Sequence, residues 1–334
     1  MSQQVLTKPK AETTLAELSV LGKPIKRKED PRLLTGMSKY VDDLKIPGML
    51  HSAVLRSTYA HALVKKIDSS RASVVPGVRL ILTAKDLSKS SVNPLATGET
   101  LDGVRIERPV LVGEEAHYMG EPLAFVVASS RYEAEDALEE ISVEYEPLEA
   151  VSDPEDALKK ESPRANSSLK SNLVQVEKVS FGDIDSAFKK ASTIVKSEFL
   201  NQRLAPSPLE TRGCMVSYDG GSQSLTVWIS TQGPFQVRSD ISDVLGFPEN
   251  RVRVIAPEVG GGFGAKLSLY SEEVLCAIAS MRLGQPVKWV ETRSENFLSM
   301  THGRGQKQFV EIASSEKGRI LGLKVKLIGD AGAY

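Results

Sequence analysis

Thiols and imidazoles are scarce in this chain, which has two cysteines and four histidines in 334 residues. Cys214 and Cys276 cannot make a disulfide framework or a thiolate metal site. Cys276 lies in the apolar run Val274-Leu275-Cys276-Ala277-Ile278-Ala279, where packing is its expected role. His51, His61, His117 and His302 show no His-x-x-x-His or similar spacing, which argues against a classical zinc site. No apolar stretch approaches the roughly 20 residues of a membrane span, and Met1-Ser2-Gln3-Gln4 does not open a signal peptide. A cytoplasmic chain is expected. Neither sign of charge is in excess, with 42 Lys and Arg against 43 Asp and Glu, so no basic surplus points to nucleic acid or anionic lipid.

The remaining composition, 41% hydrophobic and 25% charged, is that of a soluble globular chain, and its length suits two domains rather than one core. Residues 1–23 form a polar lead with a short Leu/Ala/Glu segment that suits a loose helix. Short Val/Leu/Ile runs at 50–56, 78–83 and 123–128, separated by Pro-Gly punctuation, predict strands. After the last comes Ser129-Ser130, good N-cap chemistry, then a helix over 132–140 and a strand over 141–145, which together predict a βαβ unit. A first domain over 24–150 is expected. Residues 151–180, with Pro154, Pro163, several serines and no aromatic, suit a link with solvated charges. A second domain, 181–334, should hold a strand at 225–229, a helix at 234–245 stopped by Gly246, a strand at 252–256, a helix from about 268 to 283 stopped by Gly284, and a strand at 287–290. Leu321, Leu323, Val325 and Leu327 alternate with Gly322, Lys324 and Lys326, the pattern of a half-buried strand.

Between the 252–256 strand and the following helix stands Gly260-Gly261-Gly262-Phe263-Gly264-Ala265-Lys266. Four glycines permit positive φ and close backbone approach to a ligand, and with a helix start they would present outward N–H donors to an anion such as a pyrophosphate. Glycine turns of this kind also serve tight packing alone. The P-loop pattern fails, since Lys266 follows Ala265 and precedes Leu267. A dinucleotide pattern is formally met by Gly260, Gly262 and Ala265, with Glu291 as a candidate ribose partner. Gln232, in Ser230-Thr231-Gln232-Gly233-Pro234, lies just past a strand end. It either caps its own turn or converges with the glycine loop outside neighbouring strand ends.

Ser230-Thr231-Gln232 followed by Val259-Gly260-Gly261-Gly262-Phe263-Gly264-Ala265-Lys266 resembles the molybdenum-binding subunit of the xanthine oxidase family of molybdenum hydroxylases, which includes aldehyde oxidoreductases and aerobic carbon monoxide dehydrogenase. Gly36 to Tyr40 with Asp42-Asp43, Arg56-Ser57 with Ala60-His61-Ala62, and Tyr118-Met119-Gly120-Glu121-Pro122 are similar to the family's α/β hammerhead domain. The resemblance runs from about Pro24 to Tyr334. It implies an α+β chain, with an α/β hammerhead domain followed by the N-terminal part of a molybdopterin-binding domain.

By the same resemblance, Gln232 matches the glutamine whose amide bonds an oxo ligand of molybdenum. Gly261, Gly262, Phe263 and Gly264 match the loop against the metal's ligands. The implied cofactor is molybdenum with molybdopterin, in its cytosine dinucleotide form. Oxygen from water would enter an electrophilic carbon, and electrons would leave through a [2Fe-2S] subunit to a flavin subunit. Lys266-Leu267 replaces the Lys-Glu of xanthine dehydrogenases, which favours an aldehyde or another small substrate. The family's catalytic glutamate and substrate-facing arginine have no counterpart up to Tyr334, so the chain is expected to need the C-terminal remainder of the large subunit and to be inactive alone. Glu272 and Glu273 are expected in the solvated first turn of a helix. A nicotinamide-dependent dehydrogenase using residues 260–265 and a non-catalytic scaffold subunit are the alternatives.

Overall fold

The computed structural model describes residues 22–88, 92–95, 103 and 105–334. The Leu/Ala/Glu segment before residue 22 lies outside the described residues. Residues up to Lys39 form a unit of their own, in which helix α1 (Asp30–Leu34) carries a proline in its first turn and Arg27 pairs with Asp30 at 2.8 Å.

The second unit, Tyr40–Tyr334, opens with strands β1 (Leu50–Arg56), β2 (Ala62–Asp68) and β3 (Val78–Thr83) and helix α2 (Ala84–Leu87). Next come β4 (Glu115–Ala116), β5 (Pro122–Ala128), α3 (Arg131–Glu139), β6 (Ser142–Pro147), α4 (Pro154–Ala157), α5 (Ile184–Lys189), β7 (Thr193–Leu204), β8 (Gly213–Asp219) and β9 (Ser224–Ile229). The chain continues through α6 (Pro234–Leu245), β10 (Val252–Ile255), α7 (Ser271–Leu283), β11 (Val287–Val290), α8 (Arg293–Ser299), β12 (Gly303–Ser314) and β13 (Ile320–Gly329).

One seven-stranded sheet, in the order β10-β9-β8-β11-β1-β5-β3, draws strands from both halves of the sequence. The halves meet where β1 runs parallel to β11, with Leu50 opposite Val287. Strand β5 reads as an unbroken apolar run because both of its faces are covered. Phe125 and Val127 enter the large core with Cys214, Cys276 and Trp289, while Ala124, Val126 and Ala128 meet Ala134 and Ala137 of α3. Alanines at those α3 positions let helix and sheet approach closely, and the helix starts where Ser130 accepts the Glu133 N–H. The expected βαβ unit is not formed: β5 lies in the large sheet, whereas β6 pairs with β2 in a separate three-stranded sheet. The glycine stops at Gly246 and Gly284 are present as left-handed C-caps, with φ of +59° and +63°.

A third sheet, β13-β12-β7, stands largely uncovered. Cross-strand pairing aligns Val195, Ile312 and Leu323, then Ser197, Val310 and Val325, then Phe199, Gln308 and Leu327 on one face. Val195, Phe199, Leu323, Val325 and Leu327 are each more than half exposed, at 51–57%. The alternation at 321–327 is therefore a real strand pattern whose apolar face has no cover within the described residues. The opposite face carries Lys196, Glu311 and Lys324, and α5 packs there beneath Gly322 through Ile184, Ala187 and Phe188.

The first turn of α7 is not solvated. Glu272 and Glu273 are each 2% exposed because Arg56 and Arg212 occupy the space above that turn. Arg56 reaches Glu272 at 2.7 Å and Glu295 at 2.9 Å, and Arg212 reaches Glu272 at 3.1 Å and Glu291 at 2.6 Å. Burial works to raise the Glu272 carboxyl, but the two guanidinium groups hold it well below the usual carboxylate range. Removing one member of such a network leaves an uncompensated buried charge, at a cost of about 3–5 kcal/mol.

Glu273 behaves oppositely. Burial raises its carboxyl to about 7, with Glu272 adding to the rise and Arg212 opposing it. The folded chain thus keeps a proton that the unfolded chain releases near 4.5, so stability falls as pH rises from about 4.5 to about 7 and levels off above it. Glu273→Gln should remove this part of the slope, on the order of 3 kcal/mol across the window. Urea midpoints measured from pH 5 to 8 would show it as a flatter profile than that of the parent chain, and parallel profiles would contradict it.

Candidate functional site

Strands β9 and β10 run parallel and side by side, with Leu225 opposite Val252 and Trp228 opposite Ile255. Helix α6 carries the chain from one to the other, starting at Pro234 and burying Val237, Ile241 and Val244. Parallel neighbours end at the same sheet edge, so Ser230-Thr231-Gln232 and residues 256–266 leave from adjacent carboxyl ends.

Five hydrogen bonds join the two segments, the first of them from the Lys266 ammonium to the Ser230 hydroxyl. The Thr231 hydroxyl and the Gln232 N–H both donate to the Lys266 carbonyl at 2.9 Å. Gln232 Oε1 accepts the Gly264 N–H at 3.0 Å and, at the long distance of 3.4 Å, the Lys266 N–H. Both partners of Oε1 are donors, which decides which end of the amide is oxygen. Nε2 therefore faces away from the loop, and it has no acceptor among the described residues. Gln232 is an orienting group that holds the loop with one end of its amide and leaves two N–H donors free.

The loop conformation requires its glycines. Gly261 and Gly264 have φ of +98° and +87°, and Phe263 between them is itself at +53° with its side chain 75% exposed. A left-handed residue bearing a side chain costs of order 1 kcal/mol or more. A Cβ at Gly262 would collide with the Gln232 amide, whereas one at Gly264 would meet open space. The space beside Gly264 is thus the open side of the site.

The candidate site residues Gln232, Gly261, Gly262, Phe263 and Gly264 are brought together. Two other expectations are corrected. The loop offers fewer outward donors than expected, because Gly260 N–H donates to Glu210 at 2.7 Å, the Gly264 and Lys266 donors turn to Gln232 and Ala265 N–H bonds the Gly262 carbonyl, which leaves the N–H groups of Gly261, Gly262 and Phe263 without an acceptor among the described residues. Helix α7 begins only at Ser271, and its first turn is buried and closed by Glu273, which accepts the Tyr270 N–H at 2.9 Å, so no free helix end faces the loop. Glu291 is not a ribose partner: it is 3% exposed and spent on Arg212 and Asn296.

Beneath the loop lie Glu210, Tyr270 and Arg212, which the sequence did not single out, together with the side chain of Lys266. The Lys266 side chain is fully buried, 3.1 Å from Glu210 and 2.8 Å from the Ser230 hydroxyl. Burial lowers its pKa, with Glu210 opposing the shift. Tyr270 donates its hydroxyl to the Ala265 carbonyl at 2.7 Å, and Arg212 stacks on its ring at 3.9 Å.

Among the described residues no group of three or more His, Cys, Asp or Glu side chains is placed to hold a metal ion. The donor set suits a metal that arrives within an organic ligand: a free amide N–H pair, a backbone cradle without Cβ atoms, and an exposed aromatic ring. A family model described as the molybdopterin cofactor-binding domain matches residues 166–334, and the aldehyde oxidase and xanthine dehydrogenase a/b hammerhead domain matches residues 35–149.

The chain belongs to the xanthine oxidase family of molybdenum hydroxylases. It is 40% identical to the nicotine 6-hydroxylase large subunit of Paenarthrobacter nicotinovorans over 95% of its own length and 39% of that protein's. It is 36% identical to the carbon monoxide dehydrogenase large chain of Afipia carboxidovorans, covering 42% of it. Among solved structures, quinoline 2-oxidoreductase from Pseudomonas putida 86 superposes with a TM-score of 0.88 at 40% identity, over 93% of this chain and 39% of that one. The chain therefore spans about two fifths of the molybdenum hydroxylase large subunits it matches. Its fold is the expected one, a hammerhead domain with a molybdopterin-binding domain.

The steric relation between Gly262 and Gln232 is testable without cofactor. Gly262→Ala should push the Gln232 amide aside and leave the Gly264 N–H without its acceptor. Hydrogen exchange in the 260–266 peptide should then rise roughly tenfold or more, as expected for losing a hydrogen bond worth about 1–1.5 kcal/mol, while β9 and β10 stay protected. Unchanged exchange would show that the loop takes the methyl with Gln232 in place.

Proposed function

We propose that this chain grips the molybdenum cofactor in a hydroxylase that oxidises an electrophilic carbon with water as the oxygen source. The observation that carries the reading is the Gln232 amide: its oxygen is committed to Gly264 and Lys266, and its nitrogen has no acceptor among the described residues. That arrangement is a preorganised donor awaiting an acceptor, and a metal-borne oxygen ligand would supply one. When bound, the cofactor supplies the two-electron redox chemistry. The chain's own residues orient it: Gln232 Nε2 donates, Gly261, Gly262 and Gly264 lie against it without a Cβ, and Phe263 shields one side from water.

The cofactor form proposed is molybdopterin cytosine dinucleotide. The substrate proposed is an aldehyde or a related small molecule with a trigonal carbon bonded to a heteroatom. Leu267, half exposed after Lys266, offers no carboxylate to hold a purine. The partners proposed are a [2Fe-2S] subunit, a flavin subunit and the polypeptide corresponding to the rest of the large subunit. Relatives named as a large subunit, a large chain and a dehydrogenase complex subunit support a multi-subunit assembly. Support for the third partner comes from the uncovered apolar face of β13-β12-β7 and from the 39% coverage of the relative's length. The described helices include none long and apolar enough to cross a membrane.

Co-expression with the proposed partners, followed by molybdenum analysis and a nicotinamide titration, tests the reading. Molybdenum should be present and nicotinamide should not bind; the reverse result would overturn it. In that assembly Gln232→Ala should keep most of the molybdenum and lose about a hundred- to a thousandfold in turnover, the usual cost of one preorganised donor. Unchanged turnover would return Gln232 to a local turn role.

A further inference from the structure

Glu210 touches both ends of the glycine loop at once. It stands in the segment between β7 and β8, fifty residues before the loop begins. Its N–H donates to the Gly260 carbonyl at 3.2 Å, and its carboxylate Oε2 accepts the Gly260 N–H at 2.7 Å, which fixes the loop's entry from both sides of one residue. At the exit, Lys266 Nζ donates to the Glu210 carbonyl at 2.9 Å and to Oε2 at 3.1 Å. The Ser230 hydroxyl, two residues before Gln232, donates to the same Oε2 at 2.6 Å. One carboxylate oxygen thus gathers the first residue of the loop, the last residue of the loop and the segment that carries Gln232.

We propose that Glu210 is a positioning residue for the cofactor site, setting the separation of the loop ends so that Gly264 meets the Gln232 amide. The inference rests on the function proposed for Gln232. Lys266 supplies the peptide N–H and carbonyl that Gln232 uses, and among the described residues its ammonium is anchored through Glu210 and Ser230, so moving the anchor moves the Gln232 partners. The charge is needed as well as the shape. A fully buried ammonium group retains its charge only beside an anion, and an uncharged acceptor would leave it underpaired. Glu210 Oε1 is sealed from solvent with no hydrogen-bond partner, so it has no tie holding it against Oε2. The orientation of the carboxylate therefore follows from the three donors on Oε2 alone.

The test uses Glu210→Gln, which keeps the volume, and Glu210→Asp, which keeps the charge but shortens the reach. Hydrogen exchange of the 260–266 peptide, compared with the β9 and β10 peptides of the same protein, is read first, on the full chain without cofactor. A positioning role predicts that Glu210→Gln raises loop exchange about tenfold or more while the strand peptides change little, and that Glu210→Asp recovers part of the protection. A merely structural role predicts a uniform rise in all three peptides, which would overturn the proposal, as would an unchanged loop. In the cofactor-loaded assembly, Glu210→Gln should lower kcat with KM unchanged, because the displaced donor acts on the reacting centre and not on substrate binding. A rise in KM alone would contradict the assignment. Should the parent assembly hold no molybdenum, the function proposed for Gln232 fails, while the exchange comparison still decides whether Glu210 sets the loop.

Discussion

The parallel pairing of β9 and β10 is the constraint on which the site depends. Two strands that run the same way must be joined by a crossover, here α6, and must end at the same edge. That geometry sets Gln232 beside a loop that begins more than twenty residues later. An antiparallel pair would have placed the two segments at opposite ends of the sheet. The hydrogen bonds between Thr231, Gln232 and Lys266 then convert adjacency into a fixed orientation, and the absence of a Cβ at Gly262 makes the close approach possible.

A second constraint ties this edge to the rest of the molecule. Arg56 comes from β1, Glu272 from α7, Glu291 from the end of β11 and Arg212 from the start of β8, so the buried charges link strands contributed by the two halves of the sequence. Arg212 also stacks on Tyr270, whose hydroxyl holds the Ala265 carbonyl. The glycine loop is therefore supported from below by Tyr270 and from its ends by Glu210, with its open side left to Gln232 and Phe263. Rigid support on one side and a donor without a partner on the other is the arrangement of a site built to receive a ligand.

The local signals were legible where a segment's chemistry is self-contained. Ser130 as an N-cap, Gly246 and Gly284 as left-handed caps, the β9–α6–β10 order and the glycine bend all follow from residues close in sequence. The long strands β7 and β12 were not. Lys196, Glu198, Asn201 and Arg203 in one, and Arg304, Gln306 and Lys307 in the other, break the apolar alternation, because one face of the sheet they form is uncovered among the described residues and the other meets α5 near Gly322. Glu272 and Glu273 read as solvated because a pair of acids in a first turn is ordinarily a dipole-favoured surface feature. Their burial depends on Arg56, 216 residues away, and Arg212, 60 residues away, and no local pattern announces such partners. Glu210 escaped notice for the same reason: its role lies entirely in contacts 20 to 56 residues distant.

The account turns on where the Gln232 amide points, and the most direct measurement is a crystal structure of the cofactor-loaded assembly with data collected at the molybdenum absorption edge. The predicted result is an anomalous peak on the open side of residues 261–264, with a metal-borne oxygen ligand about 3 Å from Gln232 Nε2. A peak elsewhere in the assembly, or a Gln232 amide whose nitrogen donates to the protein instead, would contradict it.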